Sequence, residues 1–201
     1  MNNEKPMEDK RWLTMEASAV DKTLKKINAA ELAGSMEYRG DIATLRRLGG
    51  RMPVDDAIAT AAAIRMLSRN GLVLKDDVHS YDSLTNGERA AVVALGLSSQ
   101  SRLSYEPNGL SFGHVFASVV NSDNEHGKGL FNLMRKIVTD DDFDSLVYDL
   151  SNAINRMGDA KIDYAQLTND LIRYQNVDKR QSVLTKWTKD YYSVLSFDRN
   201  R

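Results

Sequence analysis

From residue 139 onward, apolar side chains return at intervals of three and four: Phe143, Leu146, Val147, Leu150, Ile154 and Met157, then Tyr164, Leu167, Leu171 and Tyr174, then Leu184, Trp187, Tyr191 and Leu195. That spacing lays one apolar stripe along a helix of 3.6 residues per turn, and no stretch shows the strict alternation of a half-buried strand. Thr139 or Asp140 is placed to cap the first of these helices and Gly158 to stop it. Asp163 starts the second, and the last begins near Asp178. Connections this short make the helices antiparallel neighbours, hence a bundle.

The first half follows the same period. Trp12, Val20, Leu24 and Ile27 fall on one side of an N-terminal helix, with Lys22, Lys25 and Lys26 off it. A second helix covers Asp41 to Leu48, turning Ile42 and Leu45 inward and ending at Gly49-Gly50. A third follows Pro53, with Val54, Ile58, Ala61, Ile64 and Leu67 as its buried stripe. Residues 70–84 read as a loop. Thr85-Asn86-Gly87-Glu88 has capping-box spacing ahead of a helix through Val92 and Leu95. Residues 98–111, rich in Ser, Asn and Gly and containing Pro107, mark the best internal boundary. The expected fold is all-α, two small packed helical bundles without a sheet, divided into residues 1–106 and 107–201.

Composition removes several classes of function. There is no cysteine, so disulfides and thiolate zinc sites are excluded. No run approaches the roughly 20 apolar residues of a membrane span, and the N-terminal residues form no apolar signal region. A cytoplasmic protein without membrane contact is expected. His79, His114 and His126 stand in separate segments, none at metal-ligand spacing. The acids Asp140, Asp141, Asp142 and Asp144 suit a helix N-terminus better than a cation site. Gly127-Lys128-Gly129 lacks the remaining residues of a phosphate loop, and Arg39-Gly40-Asp41 reads as a turn into a helix. Nucleophile elbows and nucleotide-binding glycine patterns are absent. Neither an enzyme nor a bound metal or cofactor is expected.

Net charge is −1, yet the positive charge is unevenly placed. Arg173, Lys179, Arg180, Lys186, Lys189, Arg199 and Arg201 face only Asp178, Asp190 and Asp198 over the last stretch. Arg39, Arg46, Arg47 and Arg51 surround Asp41 alone, and Lys128, Arg135 and Lys136 form a third group. Lys179, Lys186 and Lys189 lie off the Leu184–Trp187–Tyr191 stripe. Solvation of outer helix faces accounts for any one group. A phosphate-binding patch requires folding to bring groups together.

Several segments resemble one family in the same order along the chain. Ile42-Ala-Thr-Leu-Arg-Arg-Leu48 resembles the "LA-x-LRR-A" signature of CasB proteins, and Ser111-Phe-Gly-His-Val-Phe-Ala117 their central "S-L-G-x-A-L-A" segment. Lys128-Gly-Leu-Phe-Asn-Leu-Met-Arg135 is similar to "R-R-F-x-x-L-L-R", with Gly129 where the pattern has a second arginine. Ile162-Asp-Tyr-Ala-Gln-Leu-Thr-Asn-Asp-Leu171 and Lys186-Trp-Thr-Lys-Asp-Tyr-Tyr192 are similar to "I-D-Y-x-x-L-x-x-D-L" and "W-A-x-D-Y-Y". Residues 1–30 and 70–105 carry no such motif.

The resemblance implies the non-catalytic small subunit of a type I-E CRISPR Cascade ribonucleoprotein, built of two helical bundles. Its implied partners are guide RNA, the target and non-target DNA strands, the Cascade backbone and large subunits, and a second copy of itself. Its implied role is to stabilise the guide–target R-loop and the displaced strand in antiviral defence. Base pairing reads the sequence in such a particle, so this subunit needs charge and shape only. Arg47 matches the second arginine of the signature, and Arg46 is its neighbour. Lys128, Arg135 and Lys136 fall on or beside the central helix, and Arg173, Lys179, Arg180, Lys186 and Lys189 in the basic C-terminal region. These ten are the expected nucleic-acid contacts. Tyr164, Trp187 and Tyr191 offer rings for stacking on bases, although their spacing favours core packing. A helical protein–protein adaptor without nucleic-acid contact is the alternative.

Overall fold

The computed structural model describes residues 12–74, 84–100, 105–122 and 127–198, with the side chains of 54, 122, 127, 128, 197 and 198 outside that description. His79, His126, Arg199, Arg201, the Lys128 side chain and most of the expected 70–84 loop thus lie outside the described residues. Among the described residues the chain forms α1 (Met15–Leu32), α2 (Arg39–Leu45), α3 (Ala57–Ser68), α4 (Asn86–Ser98), α5 (Phe112–Ser122), α6 (Gly127–Ile137), α7 (Phe143–Met157), α8 (Tyr164–Tyr174) and α9 (Val177–Asp198). Two short 3-10 turns, Arg46–Leu48 and Pro53–Asp55, join α2 to α3. The described residues contain no strand, only a bridge between Tyr105 and Ile162. The fold is all-α, and no described helix is long and apolar enough to cross a membrane.

Local chemistry fixes the helix ends. Thr85 and Glu88 form the expected capping box: the Glu88 amide donates to Thr85 Oγ1 at 3.2 Å, and the Thr85 amide to Glu88 Oε2 at 2.7 Å. Asp163 caps α8 through the Gln166 amide at 2.9 Å. Its other oxygen accepts the Gly109 amide at 2.9 Å and ties the 105–111 segment to that helix. Gly34, at φ 69°, ends α1: the Ser35 amide reaches back to the Ala30 carbonyl and that of Gly34 to the Glu31 carbonyl. α7 starts later than its acidic run suggests. Asp142, not Thr139 or Asp140, is its cap and accepts from the Ser145 amide at 2.9 Å. The Thr139 hydroxyl instead donates to the last carbonyls of α6.

The core draws residues from every described helix in one apolar cluster, from Ala19 to Tyr191. α4 is its axis. Every residue from Ala90 to Ser98 is buried, and α1, α3, α7, α8 and both 3-10 turns pack on it. A helix enclosed on all sides needs small residues where neighbours come close. A Cβ added at Gly96 would lie 2.7 Å from Leu48 Cβ. A close backbone approach joins α5 to α9, where a Cβ at Gly113 would stand 2.1 Å from the Trp187 carbonyl oxygen. Packing crosses the middle of the chain, since α8 lies against both α1 and α4.

Two expected faces are corrected. Trp12 precedes α1 and is 91% exposed, while Val20, Leu24 and Ile27 are buried as expected. α3 buries Ala59, Ala63, Met66 and Leu67, leaving Ile58 65% exposed and Ala61 at the surface. The expected stripe takes its phase from Val54, which belongs to the preceding 3-10 turn. Asp56 then interrupts the chain and caps α3 through the Ala59 amide at 3.0 Å.

Candidate nucleic-acid interface

Three of the segments that carry the resemblance, around Ser111, Asp170 and Trp187, meet inside the molecule. Trp187 Nε1 donates to Asp170 Oδ2 at 2.8 Å, and the Trp187 ring lies 5.4 Å from that of Phe112. The Ser111 hydroxyl donates to the Asp190 carboxylate. Tyr164, Trp187 and Tyr191 are 0%, 0% and 1% exposed, so their rings serve the core and are closed to bases. Burial raises the Asp170 carboxyl above the usual carboxylate range, opposed by Lys186 and by its hydrogen bonds from Trp187 and Gln166.

Three of the expected phosphate contacts are bound to carboxylates of this kind. Arg47 Nε donates to Asp56 Oδ2 at 2.7 Å, Lys136 Nζ to Asp149 Oδ1 at 2.7 Å, and Lys186 Nζ lies 3.8 Å from Asp170 Oδ1. Asp149 and Asp170 are 1% exposed and Asp56 5%, whereas the cations remain about half exposed, at 53% for Arg47, 58% for Lys136 and 41% for Lys186. A carboxylate held out of water needs such a partner, which gives each cation a structural duty. The hydrogen bond to Asp149 raises the Lys136 pKa, and Asp56 is held below its usual value first by the Ala59 amide and then by Arg47.

The other cations fall into groups that sequence separation conceals. Lys189 borders a groove between α5, α6 and α9, and Arg135 a narrower cleft that adjoins it at Phe131, Thr188, Tyr191 and Tyr192. Arg135 also shares a shallow dent with Lys136, Asn132 and Thr139. At the α8–α9 corner, Arg173 reaches the Ser182 hydroxyl at 3.4 Å and Lys179 is exposed. Arg180 lies 4.9 Å over the Tyr174 ring and donates to the Asp141 carbonyl. Burial, with the nearby Asp140, Asp141 and Asp142, pushes the Tyr174 phenol up to about 12, Arg180 opposing. Arg46 and Arg47 sit elsewhere, on the 3-10 turn after α2, where Arg46 Nε donates to the Ser99 carbonyl at 3.1 Å. The Lys128 side chain is outside the described residues.

Exposed rings are the feature that sequence reasoning missed. Phe131, Tyr148 and Tyr192 are 37%, 56% and 52% exposed, and Lys136 Nζ stands 5.8 Å from the Tyr148 ring centre. One signal was available: Tyr192 follows Tyr191 by about 100° of helix turn and falls off the Leu184–Trp187–Tyr191 stripe, which directs its ring outward. Among the described residues, no group of three or more His, Asp or Glu is placed to hold a metal ion.

No match was found among curated proteins. Three solved structures are similar in fold. CasB from Thermobifida fusca aligns with a TM-score of 0.67 at 16% identity, covering 90% of this chain and 99% of that one. A CRISPR-associated protein of the Cse2 family from Thermus thermophilus gives 0.63 at 15% identity over 88% and 99%. A structure of CasB from Thermus thermophilus gives 0.62 at 15% over 90% and 99%. The family model of the CRISPR-associated protein Cse2 matches residues 41–192, which span α2 through most of α9 and contain all the motifs above. The chain belongs to the CRISPR-associated protein Cse2 family.

Proposed function

We propose that this protein is the non-catalytic small subunit of a cytoplasmic type I-E Cascade ribonucleoprotein, where it steadies the R-loop through phosphate contacts. Its partners are guide RNA, the two DNA strands, the backbone and large subunits and a second copy of the chain. Family membership carries the reading. The exposed cations Arg135, Arg173, Lys179 and Lys189 support it, since none has a hydrogen bond or ion pair to a buried carboxylate among the described residues, Arg173 reaching the buried Asp170 only through its longer-range charge. Exchange of a DNA duplex for an RNA–DNA duplex is close to balanced, so a few phosphate contacts shift it.

Co-expression with the other Cascade subunits and guide RNA tests the assignment: this chain is expected to co-purify with the particle, and its absence refutes the reading. The charge component has its own measurement. Replacing Arg173 and Lys179 by glutamine is expected to lower the slope of log affinity for single strands against log salt by about 1.4, roughly 0.7 per lost phosphate contact. The ties of Arg47, Lys136 and Lys186 to buried carboxylates favour the second reading, a protein adaptor whose cations serve the fold. An unchanged slope supports that adaptor.

A further inference from the structure

The groove between α5, α6 and α9 is open and has a volume of about 820 Å³. Phe131 and Tyr192 stand on its walls with Lys189, and Tyr191 lies beneath them. Past Phe131 and Tyr192 it narrows into a cleft bordered by Arg135. Among the described residues lining both parts, the charged groups are Lys189 and Arg135, with no carboxylate. The hollow between α2 and α3 differs, because the Asp41–Arg65 ion pair lies in it. The one beside Glu106 and Lys161 carries both signs of charge.

Each exposed ring has a cation one helical turn away. Lys189 precedes Tyr192 by three residues and Arg135 follows Phe131 by four, which sets each pair on one helix face. Tyr191 is 1% exposed, and its hydroxyl has no hydrogen-bond partner among the described residues. Burial raises its pKa, so the hydroxyl stays protonated and able to donate. An unpaired buried hydroxyl is unfavourable until a ligand supplies an acceptor.

We propose that this groove is a slot for an unpaired nucleobase of a single strand, stacked against Phe131 and Tyr192, with the flanking phosphates at Lys189 and Arg135. The proposal rests on the nucleic-acid role above and deepens it, since that role asks only for phosphate contacts. The groove's rings and cations complement the ligand's own alternation of flat base and anion. Every base has a π-face, so the slot tolerates any sequence. An acidic peptide would satisfy the cations but has no flat group matched to both rings.

The test is fluorescence anisotropy on the full chain with labelled oligothymidylate and an abasic strand of equal length. Phe131→Ala with Tyr192→Ala is expected to weaken oligothymidylate binding at least about tenfold and leave abasic binding unchanged. Lys189→Glu is expected to weaken both. Equal binding of oligothymidylate by the double variant and the wild type overturns the slot and leaves the phosphate reading standing. No binding by the wild type to either strand at low salt overturns both. Loss of the double variant from the particle, with oligothymidylate binding intact, assigns the groove to a protein and also overturns the slot. Should the double variant fail to fold, photocrosslinking of the wild type to a bromouracil-substituted strand decides. Adducts on Phe131, Tyr191 or Tyr192 are expected, and adducts confined to other residues overturn the proposal.

Discussion

Asp140 and Asp149 show how a single residue sets a measurable property of this protein. Both carboxylates turn into the space beside α6 and α7, each with one buried oxygen that lacks a hydrogen-bond donor among the described residues, while Lys136 holds Asp149. Burial, then the negative charge of Asp149, raises the Asp140 carboxyl from 3.8 to about 6, with Lys136 opposing. Protonation lets Asp140 donate across the pair. Because the folded-state pKa lies above the unfolded one, this stabilisation is complete below about pH 4 and is lost as pH rises through about 6. Asp140→Asn carries a permanent donor. It is expected to raise the melting temperature at pH 8 by about 2–4 °C, on the order of 1 kcal/mol after solvent screening, and to leave it unchanged near pH 4. Thermal melts across that range check the sign. Acids favour helix N-termini, so the sequence points Asp140 to a cap. Its actual neighbour, Asp149, becomes visible only once α6 and α7 have packed.

Elements were legible wherever their signals are local. The Thr85–Glu88 box, the Asp163 cap and the stop at Gly158 depend on residues within one turn, and the structure has all three. Thr85→Ala is expected to cost about 1 kcal/mol in urea unfolding, since it strips one partner from the box. α3 was harder to read: its composition is apolar on nearly every side, so its period could not choose a face. Gly113 is a different case, because the glycine answers to Trp187, more than 70 residues away. Gly113→Ala would drive a methyl group into the Trp187 carbonyl and part α5 from α9. A loss of about 3 kcal/mol is expected, seen as a melting temperature lower by about 6–12 °C.

For the whole molecule, helical class was legible and the interface was not. The periodicity names each stripe, but which cations become neighbours depends on how nine described helices pack. Arg135 and Lys189 line adjoining parts of one groove although more than 50 residues separate them, while Arg47 and Lys186 turned out to be bound to buried carboxylates. The packing of α8 on α1 and α4 leads to a further expectation. Residues 1–106 and 107–201, expressed separately, should each lack the cooperative thermal transition and sharp side-chain NMR signals of the full chain, because each half uncovers apolar surface that the other encloses. Mixing the two halves should restore both signatures. The enclosure of α4 also bears on synthesis. α4 leaves the ribosome well ahead of α8, and at about 5–20 residues per second the chain then waits on the order of 4–15 s for Tyr174. Throughout that interval the side of this Ala-, Val- and Leu-rich helix that α8 encloses stays open, although α1 and α3 already cover other sides. Slower translation without chaperones is therefore expected to lower the yield of this protein.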